Sequence, residues 1–126
     1  MSKTIIHTTN APAPIGPYSQ AVKANGFLFI SGQVAFNPAT NQIEETTVAE
    51  EAEQVMKNLQ ALLVEADMDF SHVVKTTIFL SDMAHFQTVN EVYGKYFANA
   101  FPARETVAVK GLPRNVNVEI SMIAAQ

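Results

Sequence analysis

The chain has 126 residues, with 12 acidic and 8 basic side chains and a formal charge of −4. It is 48% hydrophobic and 16% charged, with no Cys and no Trp. These values fit one small domain over residues 1–126 and exclude a disordered tail protein, a disulfide framework, a thiolate metal site and a Cys nucleophile.

The first ten residues carry Lys3 but only Ile5-Ile6 as an apolar run, far short of an export-signal core. No uninterrupted apolar run exceeds four residues, as at Phe27–Ile30, so no transmembrane helix is expected. The expectation is a soluble cytoplasmic protein. Lys3–Thr8 is short and β-prone. Three prolines in Ala11–Pro17 make a stiff, extended loop. Ser19–Ala24 and Phe27–Gln33 flank Asn25-Gly26, a two-residue hairpin signal. Asn37–Asn41 is a second turn cluster.

Val48, Ala52, Val55, Met56, Leu59, Leu62, Leu63 and Ala66 fall in steps of three and four and predict a helix with one apolar stripe. Thr47 and Glu50 fit a capping box at its start. Glu50, Glu51 and Glu53 read as a solvated, dipole-favoured first turn. Val73–Leu80 predicts a strand. A second helix is predicted from about Asp82 to Ala98, with Asp82 as N-cap and a stripe of Phe86, Val89, Tyr93 and Phe97. Glu105–Val109 and Val116–Ala124 close the chain as strands. In the last, Val116, Val118, Ile120, Met122 and Ala124 share one face, and Asn117, Glu119 and Ser121 the other.

The order is β-β-β-α-β-α-β-β, an α+β chain with two helices packed on one face of a mixed β-sheet. Two helices cannot cover both faces. The uncovered face holds Glu119 and apolar positions such as Phe27 or Leu28. A partly apolar open sheet favours oligomerisation.

His7, His72 and His85 have no partner at metal spacing, so no metal site is expected. No phosphate loop occurs, and Ser31-Gly32 lacks the Gly-x-Ser-x-Gly elbow. There are only two arginines, Arg104 and Arg114, and no basic stripe, which argues against nucleic acid as a partner. Arg104 follows Phe101-Pro102-Ala103 at a stiffened strand entrance, and a guanidinium is the natural fork for a carboxylate. Glu119 sits mid-strand, where a carboxylate needs a partner or water. From spacing alone the two are a structural ion pair, two unrelated exposed charges, or a site.

Gly16-Pro17-Tyr18-Ser19-Gln20-Ala21, Ile30-Ser31-Gly32-Gln33, Val89–Tyr93, Phe101–Arg104 and Leu112-Pro113 with Val118-Glu119-Ile120 resemble, in order, the motifs of the RidA/YjgF/UK114 family. The resemblance spans Lys3 to Ala124. It implies a chorismate-mutase-like fold and a homotrimer with active sites between subunits. It implies hydrolysis of reactive 2-imino acids, such as those derived from 2-aminoacrylate, to 2-keto acids and ammonia, with no cofactor. By the same resemblance, Arg104 binds the substrate carboxylate and Glu119 positions or activates water. Tyr18, Ser31, Gly32 and Asn90 match pocket positions. Thr106 stands where many relatives have Cys; a role resting on its backbone N–H survives that change. Two other functions stay open: a keto-acid-binding regulatory module without turnover, and RNA cleavage, which the acidic balance disfavours.

Overall fold

In the computed structural model, which describes residues 2–43 and 47–126, the long apolar stripe becomes helix α1, Val48–Glu65. Ala52, Val55, Met56, Leu59, Leu62, Leu63 and Ala66 are buried, and Val48 packs against them from the edge. Each fully buried Leu contributes about 2 kcal/mol of transfer free energy. The Thr47 hydroxyl accepts the Glu50 N–H at 3.1 Å, which caps the helix. Thr47 Oγ1 also donates to the Glu50 carboxylate at 3.3 Å, so the pair closes through side chains.

The strands are β1 (Thr4–Ile6), β2 (Ala21–Ala24), β3 (Phe27–Gln33), β4 (Phe36–Asn37), β5 (Gln42–Ile43), β6 (Val73–Leu80), β7 (Ala103–Ala108) and β8 (Val118–Ala125). Six form one mixed sheet in the order β1-β2-β3-β8-β6-β7; β4 and β5 form a separate hairpin around the 37–41 turn. Among the described residues only β6 and β7 run parallel, and a parallel pair needs a long crossover. Helix α2, Phe86–Gly94, supplies it. The β2–β3 hairpin turns at Asn25 (φ 52°) and Gly26 (φ 81°), the two left-handed residues that a tight primed turn requires.

Helix α2 is shorter than its apolar stripe predicts. Asp82 caps a 3-10 turn over Met83–His85, accepting the Ala84 N–H at 2.8 Å, and the α-helix starts only at Phe86. It stops at Gly94, the poorest ordinary helix former. Lys95, Tyr96 and Phe97 then make tighter i→i−3 bonds. These turns bring Tyr96 and Phe97 edge-on to Phe70, at ring separations of 5.3 and 5.5 Å. The strand boundaries also shift: Arg104 lies inside β7, and Val116 precedes β8.

Both helices lie on the face where Leu28, Ile78, Val118, Ile120 and Met122 are buried. The other face is open, with Ile5, Phe27, Phe29 and Val107 exposed. Leu28 is therefore a core residue, and Phe27 alone of that pair belongs to the open face, as the strand alternation requires.

Glu51 overturns the solvated reading of the acidic first turn. It is only 5% exposed. Its Oε2 accepts the backbone N–H groups of Asn117 and Val118 at 2.7 and 3.1 Å, and its Oε1 accepts Asn117 Nδ2 at 3.0 Å. Glu51 lies four residues before Val55, so it falls on the buried stripe. Asn58 does the same three residues after Val55. Its Nδ2 donates to the carbonyls of Val34 and Phe36 at 3.0 and 2.9 Å, anchoring β4.

Candidate functional site

The proline loop is folded down by one side chain. Buried Gln20 accepts the Thr8 N–H at 2.9 Å and donates to the carbonyls of Thr8, Ala11 and Pro12 at 3.0, 3.2 and 2.8 Å. The loop then arches over the start of β2. Tyr18, beyond it, accepts the Ile15 N–H at its hydroxyl, 3.2 Å away. Ser31 Oγ donates to the Ser19 carbonyl at 2.7 Å, which leaves its lone pairs to accept.

Between Ile30 and Gln33 the β3–β8 register slips, with three steps on β3 against two on β8. This one-residue bulge falls at Ser31-Gly32. A Cβ on Gly32 would stand 2.5 Å from Glu119 Oε2, so a side chain there would displace the carboxylate. The small residue is a steric requirement of Glu119.

Glu119 faces a cavity of about 630 Å³ beneath the proline loop, also lined by Ile15, Tyr18, Ser31, Gly32 and Arg114. Among the described residues the carboxylate has no hydrogen bond and no ion pair. Burial pushes its pKa above the ordinary carboxylate value. A half-buried, unpartnered carboxylate with a raised proton affinity is suited to hold and accept protons from water.

Arg104, Thr106 and Asn90 gather elsewhere, at the β7 edge beside α2. The Arg104 guanidinium carbon lies 5.1 Å from the Tyr93 ring centre and 5.8 Å from that of Phe86. The Tyr93 hydroxyl donates to Thr76 Oγ1 at 3.0 Å, which fixes one of these rings. Burial pushes the Tyr93 phenol up, with the Thr76 bond and the Arg104 charge opposing it. Asn90 stands on the same helical stripe, one turn from each ring. Thr106 Oγ1 is buried without a hydrogen-bond partner.

Within one chain Arg104 and Glu119 do not meet. Arg104 pairs with Thr76, which pairs with the buried Met122 of β8, whereas Glu119 pairs with Phe79. Arg104 is therefore on the helix-covered face and Glu119 on the open face. This excludes a structural ion pair between them within one chain. The predicted site residues split into two groups: Tyr18, Ser31, Gly32 and Glu119 line the cavity, and Asn90, Arg104 and Thr106 form the edge.

Arg114 was passed over in sequence and lines the cavity with Glu119. Its signal was the Pro113-Arg114-Asn115 turn just before the Glu119 strand. Gln20 was legible only as part of a motif. Among the described residues, no group of three or more His, Asp or Glu side chains is placed to hold a metal. No helix among them is long and apolar enough to cross a membrane.

A family model described as Endoribonuclease L-PSP matches residues 8–126. The mouse protein named 2-iminobutanoate/2-iminopropanoate deaminase is 50% identical over 124 residues, covering 98% of this chain and 92% of its own. The chain belongs to the RidA/YjgF/UK114 family. A Rid family structure from Yersinia pestis, YyfA, is 44% identical with a TM-score of 0.97, covering 99% of this chain and 100% of that one. E. coli TdcF with bound serine is 36% identical with a TM-score of 0.93, over 98% of both chains. The two helices on a mixed sheet are thus the Rid family fold.

Proposed function

We propose that the chain is a cytoplasmic, single-domain deaminase that hydrolyses 2-imino acids, such as 2-iminopropanoate and 2-iminobutanoate, to 2-keto acids and ammonia. It acts on the C=N bond without a cofactor. The observation that carries this reading is the unpartnered Glu119 carboxylate, laid over Gly32 in an open cavity. The mouse relative's name supports the substrate class, and the serine bound to the TdcF relative supports a small amino-acid-like ligand.

The site is completed by a second copy of the chain. One copy supplies Glu119, Tyr18, Ser31 and Gly32; its neighbour supplies Arg104, Asn90 and the backbone N–H of Thr106. The exposed Phe27, Phe29, Ile5 and Val107 of the open sheet face supply apolar area for a homotrimer. Arg104 holds the substrate carboxylate through two parallel hydrogen bonds. This fixes the imine carbon against a water held by Glu119. Glu119 takes a proton as the water oxygen bonds to that carbon. It returns that proton to the nitrogen, which has taken the C=N π pair. Glu119 then moves the new hydroxyl's proton to the nitrogen as the C–N bond breaks and the C=O bond forms, releasing ammonia and the keto acid. The uncatalysed reaction already proceeds in water, so one positioned water and one acid–base group, worth roughly 10²–10⁴-fold, suffice.

The test is a coupled assay in which an amino acid oxidase or a pyridoxal-phosphate lyase generates the imine and semicarbazide traps what remains. Wild-type protein should suppress the semicarbazone. Arg104→Ala should reduce this at least a hundredfold while the oligomer persists. Glu119→Gln should lower kcat more than it raises KM. Saturable keto-acid binding with no imine turnover would replace the enzyme with the regulatory module.

A further inference from the structure

We infer that Arg114 forms a second anion subsite in the Glu119 cavity, one that takes a carboxylate at the far end of a substrate's side chain. This rests on reading the cavity as the imine site. It extends that reading to a substrate class, the 2-imino acids of dicarboxylic amino acids.

Arg114 sits in the left-handed region (φ 58°, ψ 22°), followed by Asn115 at φ 55°. Asn tolerates that conformation; Arg has no intrinsic reason to adopt it. The guanidinium carbon lies 5.5 Å from the ring centre of Phe36, which also lines the cavity. Phe36 is itself fixed through its carbonyl by buried Asn58. A guanidinium resting on a ring face keeps its N–H edge free for a carboxylate.

That edge is unused. Among the described residues Arg114 has no ion pair and no side-chain hydrogen bond. It does not pair with Glu119 although both line one cavity, so the two charges serve different parts of it. The cavity, about 630 Å³ in one chain before a neighbouring copy's edge is added, is in the range that holds drug-sized ligands. Ile15, Val34 and Ile43 on its walls suit a methylene chain. A small acid bound near Glu119 leaves a space that ends in a cation. The chemistry that fills it is a short aliphatic chain ending in a carboxylate.

The stable products provide a matched pair. 2-Oxoglutarate and 2-oxopentanoate have the same number of carbons and differ in the terminal carboxylate. Calorimetry at low salt should show wild-type protein binding 2-oxoglutarate at least tenfold more tightly. Arg114→Ala should bring the ratio close to one, and Arg114→Lys should restore most of it. The kcat/KM ratio for the corresponding imines should move in parallel. A wild-type preference for 2-oxopentanoate, no dicarboxylate binding, or a ratio insensitive to Arg114→Ala each overturns the subsite. Failure of the deaminase reading looks different: an Arg114-dependent binding ratio with no imine turnover by any protein.

Discussion

The cavity beneath the proline loop and the β7 edge beside α2 carry opposite charges in opposite settings. The cavity holds a half-buried carboxylate that makes no ion pair among the described residues, although Arg114 lines the same cavity, and the edge holds a guanidinium on two aromatic rings that makes none either. Each charge retains enough solvent to survive unpaired, yet each is positioned by specific packing. Gly32 makes room for one, and Tyr93, tied to Thr76, supports the other. Two positioned, unpartnered charges on opposite faces of one sheet cannot serve one small ligand inside one chain. They can do so when a second copy brings its edge to the first copy's cavity.

The largest effect expected from this division is all-or-none. Arg104→Ala chains and Glu119→Gln chains should each be inactive alone. Unfolded together at equal amounts and refolded, they should recover about a quarter of wild-type activity, because one site in four pairs an intact Arg104 with an intact Glu119 from an adjoining copy. Refolding each variant alone provides the baseline. Recovery no greater than that baseline would place the whole site within one chain and break the comparison.

Much of this was legible before any coordinates. The 3.6-residue stripe located α1, the Asn25-Gly26 pair located a hairpin, and strict alternation placed Glu119 opposite the core. What periodicity did not reveal is which polar residues ride the buried stripe. Glu51 and Asn58 look like ordinary helix surface in sequence, and both are buried and hydrogen-bonded to segments more than twenty residues away. Gly94, a local helix breaker, and the aromatic cluster at Phe70, a tertiary contact, shorten α2, and the apolar stripe contains neither. Arg114 carries a local signal in its Pro113-Arg114-Asn115 turn, but nothing in the sequence shows its contact with Phe36. That contact comes from the β4–β5 hairpin, which brings Phe36 beside Arg114, and a two-residue strand has too few positions to show a period.

Glu51 offers the contrast that sharpens the role of Glu119. Both carboxylates attend the start of β8, but Glu51 has three N–H donors and Glu119 has none. Glu51→Ala strands two backbone N–H groups and one side-chain amide in a buried setting. Its expected cost is about 2–4 kcal/mol of stability. Urea unfolding followed by circular dichroism measures this at fixed protein concentration. A loss below about 0.5 kcal/mol would mean that water replaces the carboxylate there, and that the site is less closed than its burial indicates.

The smallest effect concerns Glu119 itself and has a definite sign. Burial raises its pKa in the folded chain, while in the unfolded chain it keeps the ordinary value. Between those two values the native state holds more protons than the unfolded state, so stability falls as pH rises through that window. Above the window the ionised carboxylate carries the full cost of its partial burial; below the unfolded value the cost vanishes. Glu119→Gln should therefore raise Tm at pH 7 by roughly 1–3 °C, with the gain shrinking to nothing at about pH 4. Thermal melts of both proteins across that range, at one protein concentration, measure it. A lower Tm for the variant at pH 7 would mean that Glu119 is already paired with a cation in the assembly. If Arg114→Ala leaves that difference unchanged, the cation is Arg104 of the adjoining copy, lying where the proposed reading puts the substrate carboxylate, and the two charges hold the subunits together instead of serving a reaction.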